Sequence, residues 1–567
     1  MVVLKGLFMI IINFEINCFT MKKMFLAAWF FAILSCVPLQ QAGKQPFIWE
    51  GANVYFLLTD RFSNGNPNND VNFGRTEKTA VLRGFEGGDL RGIIQKIDAG
   101  YFSDLGVNAI WMTPVVEQIH GATNEGTGNT YGFHGYWTKD WTALDPNFGT
   151  REDLKELVQK AHSKGIRIVL DAVINHTGPV TAQDSVFPAD WVRTSPQCTY
   201  NSYQNTTACT LVANLPDILT EHNAPVQLPK MLVEKWKAEG RYEEEIKELE
   251  AFFLKTGYPR APKYYIMKWL ADYITDFGID GYRVDTVKHT NEDVWKEFQK
   301  VSQEAFDEYK RKNPNLVLDD SRFFIVGEVY GYGISQKQNY DFGDRKVNYF
   351  RNGFGSLINF DFKGDATKSY EETFSKYSQI LNSEMKGYSV MNYTTSHDDG
   401  SPFDKDRKKT YEAATKLLLS PGISQIYYGD ETARSLTIPG AEGDATLRSN
   451  MNWIDVVNNV ETKKLLAHYQ KLGKFRAAHP AVGAGVHQKI ASSGQYWFVR
   501  SYKEGSAEDK VVVGLDLAKG EKNVNVEGIF PAGTKLLDAY SGKTVQVSDR
   551  NHVSVNSEFT IVLLEKE

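Results

Sequence analysis

From Val54 onward, short apolar runs alternate with segments of helical periodicity for roughly 420 residues, the pattern of βα units built on a parallel sheet. Eight runs stand out: Val54 to Leu58, Ala109 to Met112, Ile166 to Leu170, Gly281 to Val284, Phe323 to Val326, Leu357 to Phe360, Val390 to Thr395 and Ile423 to Tyr427. Between them, Arg151 to Lys164 is amphipathic and is followed by Gly165, where a helix commonly turns left-handed to stop. Asn291 to Lys312 has the same spacing. Eight units predict an α/β chain whose sheet closes into a (β/α)8 barrel, spanning residues 48–176 and 262–475.

The connection between the third and fourth runs is far longer than a βα loop, so residues 177–261 are expected to form an inserted subdomain. Thr177 to Asn223 is polar, aromatic and rich in turn residues. Leu228 to Phe253 is charged with helical spacing and reads as a solvated surface helix. From about Arg476 the pattern becomes alternating strands, among them Gln495 to Tyr502, Lys510 to Leu517 and Glu558 to Leu564. Residues 476–567 are therefore expected to form an antiparallel β domain of sandwich type.

Met21-Lys22-Lys23 precedes an apolar run, Met24 to Ser35, with the length of a signal-peptide core and short of the ~20 residues a membrane span needs. The chain is expected to be exported and translated from Met21, with residues 1–20 an upstream mis-start and 36–47 a linker. Ile33-Leu34-Ser35-Cys36 resembles the bacterial lipobox, which makes Cys36 the lipidated first residue; a plain secretory peptide is the alternative. Removing Cys18 and lipidating Cys36 leaves Cys198 and Cys209, either paired in an oxidising periplasm or two buried thiols.

The composition, 42% hydrophobic and 24% charged, is that of an ordinary soluble globular protein. With 64 Lys and Arg against 70 Asp and Glu there is no basic field for a phosphate polymer, so nucleic acid is excluded as a partner. Membrane contact is expected only through the Cys36 lipid, and the protein is expected to be a monomer.

Four of the eight runs end in a carboxylate: Ile168-Val169-Leu170 meets Asp171, Gly281 to Val284 meets Asp285, Phe324 to Gly327 meets Glu328, and Met391 to Ser396 meets His397-Asp398. In a barrel these ends converge on one face. Like charges in a shared crevice destabilise a fold that has no use for them. Carboxylates without Cys-rich or His-rich metal spacing suggest glycoside cleavage, which requires an acid on the leaving oxygen and an anion at the anomeric carbon.

Asp171-Ala-Val-Ile-Asn175-His176, Gly281-Tyr-Arg283-Val-Asp285-Thr-Val-Lys288-His289, Gly327-Glu328-Val329 and Ser396-His397-Asp398 resemble, in order, the four signature regions of the α-amylase family, glycoside hydrolase family thirteen. Leu215-Pro-Asp217-Ile is similar to its fifth region, and Arg448-Ser-Asn-Met-Asn-Trp453 to periplasmic maltodextrin-cleaving members of Gram-negative bacteria. The resemblance implies that Asp285 is the nucleophile, Glu328 the general acid and then base, and Asp398 the stabiliser of the distorted sugar. It implies substrate contacts from His134, Tyr136 (a stacking platform), Trp137, His176, Arg283, Lys288, His289, His397 and Arg448. Arg283, two residues before Asp285 on one strand face, is expected to hold the nucleophile ionised, and burial to keep Glu328 protonated.

Ser63-Asn64-Gly-Asn66-Pro-Asn-Asn69-Asp70 and Gly87-Gly-Asp89 concentrate oxygen donors of the kind Ca²⁺ takes, although composition alone fits an Asx-rich turn better. The resemblance to a calcium loop of cyclodextrin-forming relatives implies ligands at Asn64, Asn66, Asn69, Asp70, Gly87 and Asp89. Asn64 stands where those relatives usually have Asp. A second calcium, between barrel and insertion, is implied at Asn175, Asp217 and the carbonyl of His289; the stretch from Arg193 to Pro216 supplies no further acid. The resulting expectation is an endo-acting hydrolase of α-1,4 bonds in starch, glycogen or maltodextrins. The alternatives are an α-glucan transglycosylase and, remotely, an inactive glucan-binding protein.

Overall fold

The computed structural model describes residues Pro46–Glu567. The signal-peptide and lipobox readings, Cys36 included, and the upstream segment lie outside the described residues. Eight parallel strands close into a barrel: β1 (Asn53–Leu57), β2 (Ala109–Met112), β3 (Arg167–Ala172), β4 (Gly281–Val284), β5 (Phe324–Gly327), β6 (Ser356–Asn359), β7 (Ser389–Tyr393) and β8 (Ile423–Tyr427). Every one of the eight apolar runs is a barrel strand. β1 pairs with β2 through Val54↔Ala109 and with β8 through Asn53↔Ser424, so the sheet has no open edge.

The strands are apolar along their length because both faces are covered, one by the barrel interior and one by helices. Helix Arg151–Ser163 is typical of the outer layer. Thr150 caps it, exchanging bonds with Asp153 in a capping box, while Leu154, Leu157, Val158 and Ala161 face inward and Gly165 turns the chain at φ +73°. Helices Pro262–Phe277 and Glu292–Lys312 flank β4 in the same way. Below the barrel, Trp49 stacks on Phe324 at 4.0 Å and closes the end opposite the carboxylates.

The insertion departs from one expectation. The stretch read as a single solvated helix is two, Lys230–Ala238 and Tyr242–Thr256, broken at Gly240 (φ +74°). Leu232, Trp236, Leu249 and Phe253 are buried, and Trp236 meets Trp269 edge-on at 6.1 Å. The charge pattern concealed an apolar stripe that packs on the barrel helix.

The last barrel helix, Val460–Ala478, contains Arg476, and the antiparallel strands begin at Val486. Six strands form one sheet in the order Val486–Ile490, Tyr496–Glu504, Ala507–Leu515, Val562–Lys566, Lys535–Asp538, Lys543–Gln546. Gly520–Asn525 and His552–Ser557 form a second sheet, and Trp497, Val512, Val524 and Val555 from both sheets share one core. Among the described residues no helix is long and apolar enough to cross a membrane.

Candidate active site

Register places the strand-end residues side by side. Arg283 of β4 lies opposite Asp171 of β3, and Val284 opposite Gly327, which precedes Glu328. The consequence is one buried guanidinium shared by three carboxylates. Arg283 Nη1 donates to Asp285 Oδ1 at 2.7 Å and to Asp171 Oδ1 at 3.0 Å, while Nη2 lies 3.0 Å from Glu328 Oε2. A buried arginine without such partners would be strongly destabilising.

Asp171 also accepts hydrogen bonds from Trp111 Nε1 (3.1 Å) and the Tyr136 hydroxyl (3.0 Å). Burial lifts its carboxyl to about 7, with Arg283 pulling the other way and Asp285 adding to the rise. Glu328 is pushed up to about 8, chiefly by burial and further by Asp285 and Asp398, against the pull of Arg283. Its Oε2 accepts the Thr286 N–H at 3.0 Å. Thr286, the residue after Asp285, has φ +46°, a conformation that costs a β-branched residue about 1–3 kcal/mol and that here aims its N–H at Glu328.

Asp398 follows β7 and accepts the Ser396 hydroxyl at 3.2 Å. Burial opposes its ionisation, but His397, Arg283 and Arg448 hold the carboxyl below the usual carboxylate range. Arg448 donates to the His397 carbonyl at 2.9 Å and pairs with Asp444 at 2.6 Å, tying the loop after β8 to the end of β7. Glu328 and Asp398, both strand-end acids, are thus driven in opposite directions.

The three histidines are buried and neutral. Burial lowers His134, His176 and His397, the last to about 4. A neutral imidazole offers one donor and one acceptor, suited to sugar hydroxyls. His176 Nε2 lies 3.1 Å from the Tyr136 carbonyl, and His134 Nδ1 accepts the Tyr136 N–H at 3.1 Å. Tyr136 stacks near-parallel to His397 with ring centres 5.4 Å apart, so besides the stacking surface expected of it, it couples Asp171 to His397. Trp137 packs edge-on to His134 at 4.7 Å.

Asp285, Glu328 and Asp398 face into one cleft of about 490 Å³, which His134, Tyr136, Trp137, His176, His397 and Arg448 also line, while Arg283 and Asp171 lie beneath its surface. Lys288 and His289 cluster with Tyr330 and Tyr200 in its wall; the Lys288 ammonium donates to the Tyr330 carbonyl at 3.0 Å. His289 is neutral, lowered to about 4 mainly by burial, and its Nδ1 lies 3.1 Å from the Thr206 carbonyl. Arg83 pairs with Glu125 at 2.7 Å and with Asp444 at 3.1 Å, two acids that also line the cleft, and so joins three loops.

Sequence alone gives Asp171, Trp111, Thr286, Arg83, Tyr200 and Tyr330 no specific role at the site. Asp171 was visible as a strand-end acid and Tyr330 as the second residue after Glu328. The others carry no local signal, because their place depends on loops meeting across the barrel mouth.

The predicted metal ligands fall into two groups. In the first, Asn64 Nδ2 donates to Asp70 Oδ1 at 2.9 Å, and Asn69 Oδ1 is buried without a hydrogen-bond partner. Gly87 has φ +91°, and a side chain there would strike Asn64 and Asp70. Asp89 differs: its carboxylate accepts the N–H groups of Gly65, Asn66 and Gly92 and caps helix Leu90–Asp98. Asn66 likewise accepts the Asn68 N–H. The orphaned Asn69 amide oxygen is a hard donor of the kind Ca²⁺ takes.

In the second group Asn175 Oδ1 accepts the Thr290 hydroxyl at 3.2 Å, and Asp217 Oδ2 accepts Arg193 Nε at 2.7 Å. Asp217 Oδ1 is buried without a partner, and burial lifts the carboxyl to about 8, so a cation there would relieve an unfavourable charge. Arg193, which also pairs with Glu221, already supplies part of that compensation. Among the described residues no group of three or more His, Cys, Asp and Glu side chains is set to hold a metal, so either site would depend on amide and carbonyl oxygens.

The sequence profile of the α-amylase catalytic domain matches residues 56–451. The chain is 35% identical to the periplasmic alpha-amylase of Escherichia coli (strain K12) over 524 residues, covering 82% of this chain and 72% of that protein. It is 27% identical to a cyclomaltodextrin glucanotransferase of Geobacillus stearothermophilus over 522 residues, covering 88% of this chain and 65% of that one. Among solved structures, an alpha-amylase from Geobacillus thermoleovorans complexed with acarbose shares the fold with a TM-score of 0.64 at 21% identity, over 92% of this chain and all of that one. A catalytic-domain match over most of the chain, joined to this identity across four-fifths of it, establishes that the protein belongs to the α-amylase family of glycosidases.

Proposed function

We propose that the protein is an endo-acting α-amylase that cleaves internal α-1,4 bonds of starch, glycogen or maltodextrins with retention of configuration. The observation that carries this reading is the single guanidinium of Arg283 between Asp285 and Glu328, with burial keeping Glu328 protonated. Asp285, held by Arg283, attacks the anomeric carbon while Glu328 gives its proton to the leaving oxygen; Oε2 is engaged by Thr286 and Arg283, so the proton resides on Oε1. Asp398 stabilises the oxocarbenium-like transition state by its negative charge. Glu328, now a carboxylate, takes a proton from water, which opens the covalent glycosyl intermediate at Asp285.

A glucan acceptor in place of that water gives transglycosylation by the same chemistry, and likeness to a cyclomaltodextrin glucanotransferase keeps it as the second reading. Incubation with soluble starch, following product size and anomeric configuration, tests both. Short α-configured maltooligosaccharides are expected; β-configured products or intact starch overturn the proposal, and cyclic or lengthened products favour the second reading.

Calcium, where bound, would supply fixed positive charge that rigidifies loops. Asn64, Asn69, Asp70 and the Gly87 carbonyl would hold one ion, and Asn175, Asp217 and the His289 carbonyl another. The Cys198–Cys209 disulfide supports an oxidising compartment outside the cytosol, in keeping with export to the periplasm and a lipid on Cys36.

A further inference from the structure

Asp398 is the least tethered of the three acids in the cleft. Its side chain is 30% exposed against 9% for Asp285 and 8% for Glu328, the two that pair with the Arg283 guanidinium. Among the described residues one hydrogen bond reaches its carboxylate, from the Ser396 hydroxyl at 3.2 Å. The place of that charge is therefore set by the main chain on either side, and each side is tied. Before Asp398, the His397 carbonyl accepts Arg448 Nε at 2.9 Å. After it stands a further acid, Asp399, which is buried.

Asp399 Oδ2 accepts the Tyr393 hydroxyl at 2.7 Å, while Oδ1 accepts the Ser401 N–H at 3.0 Å and a hydrogen bond from the Lys363 ammonium. Tyr393 is the last residue of β7, its ring edge-on to Phe360 at 5.7 Å. Lys363 comes from the short helix Phe362–Asp365 that follows β6; its neighbour Phe362 is fully buried, edge-on to Tyr377 at 5.6 Å. One carboxylate thus joins the end of β7, the turn after it and the loop after β6. The ion pair also removes a repulsion, because an unneutralised carboxylate one residue from Asp398 would oppose the ionisation of Asp398. An acid that is buried and paired through both oxygens, next in sequence to one whose charge must keep a fixed place, acts through that neighbour.

We infer that Asp399 is the positioning residue of Asp398: the Lys363–Asp399–Tyr393 tie holds the main chain on one side of Asp398 as Arg448 holds it on the other, and so fixes the negative charge where the oxocarbenium-like transition state needs it. The inference rests on the hydrolase reading above. Asp399→Asn keeps the shape and removes the charge that pairs with Lys363. In the full exported chain it is expected to lower kcat on maltoheptaose at least about tenfold with KM within about twofold, because the misplaced charge matters only in the transition state. That charge acts whatever the leaving group, so an equal loss is expected on α-maltosyl fluoride, whereas impaired proton delivery by Glu328 would spare the fluoride. Affinity for acarbose, whose flattened ring resembles the transition state, is expected to fall by a similar factor while that for maltotriose holds. Lys363→Met is expected to lower kcat likewise, and the double variant to lose no more than the worse single one. A kcat within about twofold of wild type, a loss carried by KM or confined to maltoheptaose, unchanged acarbose affinity, or losses that multiply in the double variant overturn the inference. Should Asp399→Asn fail to fold, Tyr393→Phe, expected to lower kcat several-fold at unchanged KM, decides it by the same measurements. Wild-type protein inert on both substrates would instead refute the hydrolase reading.

Discussion

The guanidinium of Arg283 reaches Asp285 Oδ1 at 2.7 Å from within a barrel interior that leaves it almost no solvent contact. The same group touches Asp171 and Glu328, so its planar fork spaces three carboxylates at once. A lysine there can neutralise charge but cannot span them. Arg283→Lys is expected to lower kcat on maltoheptaose at least about 100-fold while the fold persists by circular dichroism. Activity within threefold of wild type would count against the bridging role.

Glu328, lifted to about 8 by burial, acts as an acid only while protonated, so kcat/KM is expected to fall as pH rises through about 8. The same shift bears on stability. A carboxyl raised from 4.5 binds its proton in the native state where the unfolded chain has lost it, so stability declines from about pH 4.5 upward to 8. Glu328→Gln removes that ionisation cost. Its melting temperature is expected to exceed wild type by more at pH 9 than at pH 5, and an equal difference at both would refute the assignment.

His479 lies between the last barrel helix and the β domain, with Asp509 at 2.9 Å and Glu565 at 2.6 Å. Burial disfavours its charge, but the two carboxylates overcome this and raise it to about 9. Its contribution is full below the unfolded value of about 6.5 and disappears as pH rises through 9. His479→Gln is expected to lower the melting temperature at pH 6 by several degrees and at pH 10 by little. A uniform loss would mean that packing, and not the ion triad, holds the joint.

Calcium is expected to raise the melting temperature and a chelator to lower it, by mass action on the folded state. Asp70→Ala and Asp217→Ala are each expected to abolish part of that response, because each removes the carboxylate of one candidate site. Arg193→Ala, by withdrawing the cation that competes at Asp217, is expected to enlarge the calcium increment; an unchanged increment would show that Arg193 and the ion do not share the carboxylate.

The chain order of the motifs and the eight apolar runs were legible because barrel strands are short, continuous and buried on both faces, and because a carboxylate after such a run breaks the pattern. By itself, then, the sequence determined the barrel, its insertion, the following β domain and the acids Asp285, Glu328 and Asp398. Tertiary structure decided how those acids differ: register set Arg283 against Asp171, burial raised Glu328, and ionic neighbours lowered Asp398. It also decided that the charged stretch after Leu228 hides Trp236, that Asp89 serves as a helix cap, and that Tyr200 reaches the cleft from a disulfide loop. The physical reason is range. Hydrophobic periodicity is written within a few turns of chain, whereas desolvation and charge pairing are sums over groups that only folding brings together.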